Sequence, residues 1–163
     1  MESCVGFRLP QRNATRWNSD LHLLKGFVQL VDSKKAKESN ALNRLNAISK
    51  HGHLSASELL VLRELVSILN PFERASDDFQ SDKETIGNVI PLYLGLLNML
   101  TLTVRDARTG ESIPNPHSSL APIVKKLKGF VQTLHDSLER RFDFVLFDSN
   151  YVMGKCCVLN NLD

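Results

Sequence analysis

The sequence predicts a mainly α-helical bundle with little or no sheet, on three observations. Apolar residues recur at spacings of three and four across most of residues 16–142, several of these stretches open on capping residues, and the one run that reads as a strand, Phe144 to Phe147, has no visible partner. A chain of 163 residues with 42% apolar content is long enough for one compact domain and short for two with separate large cores. Residues 1–15, with Gly6 and Pro10 and no sustained period, read as a linker or strand remnant, residues 16–142 as the helical domain, and residues 143–163 as a divergent C-terminal tail.

The first helix is predicted from Asn18 or Ser19, with Leu21, Leu24, Val28 and Val31 on one stripe and Leu23, Phe27 and Leu30 widening it. The polar run 32–39 ends it, and Leu42, Leu45 and Ile48 mark a short second helix closed by Gly52. The clearest start is Ser55-Ala56-Ser57-Glu58, a capping box, with Leu54 and Leu59 placed for a hydrophobic staple. Leu59, Leu62, Leu65, Val66 and Leu69 follow. Pro71 lacks an N–H and clashes with the preceding turn, so a kink or break is expected near Asn70, with a further short helix carrying Phe72, Ala75 and Phe79. An acidic cap around Ser81 to Glu84 leads into a helix over about 84–104 with Ile90, Tyr93, Leu97 and Leu100, bent at Pro91. Residues 106–117 read as a surface loop. Ser118 or Ser119 is then expected to cap a long helix over 119–141, packed against the preceding one, with Leu120, Ile123, Val124, Leu127, Val131, Leu134 and Leu138 along one side.

Charge is nearly balanced, with 20 basic and 18 acidic residues, which argues against binding nucleic acid by net charge alone. Its distribution is uneven: residues 1–50 hold nine Lys/Arg against four Asp/Glu, whereas residues 51–118 hold five against nine. A polyanion therefore meets the N-terminal third first. No stretch reaches the roughly 18 apolar residues of a membrane span, and the N-terminus has no apolar signal region. Three cysteines in an odd set, Cys4, Cys156 and Cys157, fit a reducing compartment, so a location in the nucleus or cytoplasm is expected.

The string Thr15-Arg16-Trp17-Asn18-Ser19, followed by Leu21 and Leu24, resembles a segment of hAT-family transposases and of host proteins derived from them, many with BED zinc fingers. Later landmarks follow in the same order: Leu54-Ser55 and Glu58 through Leu69-Asn70-Pro71-Phe72, Ala75-Ser76 and Ser81, Thr85 to Val89-Ile90-Pro91, and Arg140-Arg141-Phe142. The similarity spans about residues 10–151. It implies the helical insertion domain of a ribonuclease H-like transposase. In that family two catalytic Asp lie upstream of the Arg-Trp segment and the Glu downstream of the insertion, so the resemblance predicts a chain without the catalytic carboxylates and without the family's dimerisation segment. After Tyr151-Val152-Met153 the chain departs from the family pattern.

The resemblance also implies that Trp17 stacks on a displaced nucleotide with Arg16 near phosphate, which suits an indole beside a guanidinium. The alternative is that Trp17 packs as an anchor on the first helix. Arg12, Lys34 and Lys35 complete the candidate DNA-contacting set; Arg8, Lys25 and Lys37 add to the same charge, although clustering in sequence does not place them on one face. No catalytic residue, cofactor or metal site is predicted. His51 and His53 flank Gly52 without a nearby Cys or His, Cys156-Cys157 lacks Cys-x-x-Cys spacing, and Asp77-Asp78, Asp143 and Asp148 do not form a convergent carboxylate set. The expected function is a catalytically inactive, transposase-derived fragment with a DNA-associated or regulatory role. Its alternative is a helical protein-interaction module, or a degenerate transposon product, that does not bind nucleic acid.

Overall fold

The computed structural model describes residues 17–34, 40–48, 54–80 and 86–148. It is mainly helical, with one two-stranded sheet among these residues. The elements are α1 (Trp17–Asp32), α2 (Ala41–Ile48), α3 (Ala56–Phe79), a 3-10 turn (Ile86–Asn88) leading into α4 (Val89–Leu100), β1 (Thr103–Arg105), β2 (Ser112–Pro114), α5 (Lys128–Phe142) and a closing 3-10 turn (Asp143–Leu146). No helix among the described residues is long and apolar enough to cross a membrane. The chain divides into two compact units, Met1–Leu69 and Asn70–Asp163.

In the first unit, α1 begins at Trp17, so Asn18 and Ser19 lie inside its first turn instead of capping it. Leu21 is buried, and Leu24, Val28 and Val31 are half-buried on the same stripe. The helix ends at Asp32 without a basic residue in its last turn. A carboxylate there opposes the helix dipole. Arg63 of α3 offsets this with two bonds, Nε to Oδ2 at 3.2 Å and Nη2 to Oδ1 at 2.5 Å. α2 is preceded by Asn40 at φ 54°, a left-handed conformation that asparagine tolerates better than most residues. Asn46 then ties α2 to the approach to α3: its Nδ2 donates to the Leu54 carbonyl at 3.0 Å and its Oδ1 accepts the Leu54 N–H at 2.8 Å.

The capping box forms as its residues predict. The Ser55 hydroxyl accepts the Glu58 N–H at 3.2 Å, and Glu58 Oε2 accepts the Ser55 N–H at 2.7 Å and the Ser55 hydroxyl at 2.7 Å. At Pro71 the expected break does not occur: α3 runs through it for 24 residues. Proline forfeits one intrahelical donor, and the hydrogen bonds on either side and the burial of the apolar Ile68 and Ala75 hold the helix across the gap. The division between the two units nevertheless falls one residue before this proline.

The second unit, from Asn70 on, is built around α4 and α5, which pack together as expected. The proposed acidic cap at 81–84 lies outside the described residues. α4 starts later than the periodicity predicts, at Val89 after Asn88, which places Pro91 in the first turn, where its missing N–H has no intrahelical acceptor to lose. Ile90, Tyr93 and Leu100 are buried along its inner side.

Three sequence expectations are corrected in this unit. Residues 106–117 are not wholly loop, since Ser112–Pro114 pairs antiparallel with Thr103–Arg105 in the register Val104↔Ile113. Asp106 shapes the turn, its Oδ1 accepting the N–H groups of Arg108 (2.7 Å) and Thr109 (3.1 Å), and Gly110 at φ 70° supplies the left-handed residue that closes it. The last helix starts at Lys128 and not at 119. Pro122 removes a donor and disfavours helical geometry at Ala121. Leu120 and Val124 reach the core from short turns instead, through Ala121 N to Ser118 O and Val124 N to Leu120 O. Finally, Phe144 to Phe147 form no strand: Asp143–Leu146 is a 3-10 turn that buries Val145 and exposes Phe144 and Phe147.

Candidate functional site

Of the residues expected to meet DNA, Arg12, Arg16 and Lys35 lie outside the described residues, as do Arg8 and Lys37. Trp17 is the first residue of α1, and Lys34 is exposed just beyond that helix. Lys25, one of the additional basic residues, is half-buried within α1. Asp20 stands in the first turn of α1, where its charge complements the positive end of the helix dipole. His51, His53, Cys156 and Cys157 are outside the described residues. Asp77 and Asp78 are exposed at the end of α3, Asp143 is exposed, and Asp148 is half-buried. None of these four acids belongs to a potential metal-ligand cluster among the described residues.

The polar groups most deeply buried in the second unit form a brace. Asn115 follows β2 and is nearly inaccessible. Its Nδ2 donates to the Thr101 carbonyl at 2.8 Å, the Asn98 carbonyl at 3.1 Å and Asn98 Oδ1 at 3.3 Å, while its Oδ1 accepts the His117 N–H at 3.0 Å. Ser118, also buried, donates its hydroxyl to the Met99 carbonyl. Carbonyls at the end of a helix have no intrahelical donor. These two side chains supply donors there and fasten the chain after the hairpin to the end of α4. Their hydrogen-bonding capacity is spent inside the fold, so this is a structural brace.

A second polar group lies on α5. Val131, His135, Leu138 and Phe142 follow one another at helical spacing along its inner edge, with Val131 buried and the others partly so. His135 Nδ1 lies 3.4 Å from Glu139 Oε2, one turn on, and 3.6 Å from Asp136 Oδ1. Both carboxylates are more than half exposed, whereas the imidazole is 18% exposed. Gln132 Nε2 holds Asp136 Oδ1 at 2.8 Å. Nearby, Tyr93 of α4 stacks on Phe142 with ring centroids 5.7 Å apart. Burial pushes the Tyr93 phenol above its ordinary pKa, and the negative fields of Glu139 and Asp143 add to this. In the sequence, the signal for this pair is the His-to-Glu spacing of four on a helix, which puts both residues on neighbouring turns of one face.

Comparison of the chain with protein-family models, curated proteins and solved structures found no match.

Proposed function

We propose that this chain is a transposase-derived helical module that contacts DNA and performs no strand cleavage of its own. The observation that carries the reading is the Thr15-Arg16-Trp17-Asn18-Ser19 segment, followed in order by the further hAT-like landmarks through Arg140-Arg141-Phe142. The mainly helical fold is compatible with it. Two features add physical support: α1 begins at Trp17, and the basic excess of the chain is concentrated in residues 1–50. A helix N-terminus and a basic segment both favour phosphate, and an indole offers a stacking face that every base accepts. The two-metal chemistry of the family needs carboxylates fixed close together, and the stretch resembling the insertion domain does not include those positions.

Trp17 is the only tryptophan, so its fluorescence reports on this site alone. The expected result is quenching on titration with a duplex carrying an unpaired terminal base, with affinity that falls as salt rises through counterion release. Trp17→Ala is expected to weaken binding by about 1–3 kcal/mol, the worth of one stacked base. Unchanged fluorescence and salt-independent association would count against the proposal. Unchanged affinity in Trp17→Ala, together with a stability loss of about 3–5 kcal/mol, would assign Trp17 to packing. Incubation of transposon-end DNA with magnesium or manganese is expected to leave it intact, and strand transfer abolished by one Asp substitution would overturn the claim of catalytic silence.

A further inference from the structure

We propose that His135, Asp136 and Glu139 form a divalent transition-metal site, of the class that takes zinc, on α5. Three observations converge on it. Among the described residues, this is the group whose candidate ligand atoms gather within 4.8 Å of one another. His135 Nδ1 is buried and makes no hydrogen bond, although it faces two carboxylates. The two separations from Nδ1 also match those a small cation imposes. Two ligands about 2.1 Å from zinc at the tetrahedral angle stand about 3.4 Å apart, and the observed Nδ1 to carboxylate distances are 3.4 and 3.6 Å.

The arrangement of charge calls for a cation at this point. A neutral imidazole with its Nδ1 lone pair facing two carboxylate oxygens places three electron-rich atoms together, and the arrangement is favourable only with positive charge between them. An imidazolium would supply a single positive charge to the two carboxylates, whereas a divalent ion supplies two. A metal ion accepts all three lone pairs at once.

The chain also positions the ligands in advance. His135 is held on the buried edge of α5, Glu139 reaches it from one turn away, and Gln132 restrains the Asp136 carboxylate. The exposure of both carboxylates leaves the outer side of the ion open to water or a further ligand. Nitrogen plus carboxylate oxygen is a donor set suited to zinc and its first-row neighbours rather than to calcium or magnesium, which favour oxygen alone.

The test uses the full chain and zinc itself, followed by two-bond proton–nitrogen correlations of the five histidines, with His135 assigned by His135→Gln. The expected result is that zinc near equimolar concentration moves His135 Nδ1 to the position of a metal-bound nitrogen while the proton stays on Nε2. Glu139→Gln removes one ligand at an exposed position and is expected to weaken zinc binding at His135 at least about tenfold, since loss of an outer partner alone costs that much. Backbone spectra of Glu139→Gln that overlay on the parent protein would show that the fold is kept. Zinc that leaves the His135 resonances unmoved, binds through Nε2, or binds with equal affinity after Glu139→Gln would overturn the proposal. Response of other histidines to zinc with His135 silent would overturn it equally.

Discussion

The two compact units hold themselves together differently. Among the described residues, the buried apolar side chains of the first unit are Leu21, Leu59 and Ile68, while the second buries Ala75, Ile90, Tyr93, Leu100, Leu120, Val124, Val131 and Val145. The first relies on polar links at helix ends: Arg63 on Asp32, Asn46 on the Leu54 backbone, and the Ser55–Glu58 box. The second places an apolar core between α4 and α5 and turns, with Asn115 and Ser118 bracing it from within. Solvent-accessible polar links of the first kind each contribute little, because water competes for the same groups. Buried apolar contacts and buried donors contribute more per residue, so substitutions in the second unit should be felt more strongly.

The comparison would break first at Leu120. Leu120→Ala should cost about 2–5 kcal/mol in chemical denaturation, because the residue is only 2% exposed and its truncation leaves a cavity in the core. A loss under about 1 kcal/mol would mean that the second core is loose. Next in size is Asn115→Ala, expected to cost about 1–3 kcal/mol, since it strands the Thr101 carbonyl and the His117 N–H together. Thermal unfolding of Asn115→Asp separates the two functions of the side chain, because it keeps the acceptor and removes the donors.

For the first unit, Ser55→Ala should lower stability by about 1 kcal/mol, the usual value of an N-cap hydroxyl. A larger loss than that of Asn115→Ala would reverse the ranking. The smallest expected effects are those of pH. Glu58 is held below its ordinary pKa by the backbone N–H and then the hydroxyl of Ser55, and Asp106 by the N–H groups of Arg108 and Thr109. Both have folded pKa values below the unfolded ones, so their contributions are present above the unfolded pKa and disappear as pH falls through the folded one. Tyr93 is raised, so its neutral form favours the fold and its contribution is lost as pH climbs from about 10. Melting temperatures of Glu58→Gln, Asp106→Asn and Tyr93→Phe against pH should therefore show acid-side sensitivity in both units and alkaline sensitivity in the second.

Much of this could be read locally. Stripes such as Leu21, Leu24, Val28 and Val31, and the Ser55–Glu58 box, act over three or four residues and need no distant partner. The mainly helical class and the capping box were accordingly determined by the sequence itself, through the period of its apolar residues and the chemistry of its caps. Helix ends and exceptions were less legible. The tertiary structure decided that α3 passes through Pro71, that residues 103–105 and 112–114 pair, that Leu120 and Val124 reach the core from turns, and that Phe144 to Phe147 do not extend into a strand. The physical reason is common to all of these. A forfeited helix bond, a three-residue strand and a turn residue's place in the core each depend on groups brought from elsewhere in the chain, and no window of neighbouring residues contains the free energy that settles them.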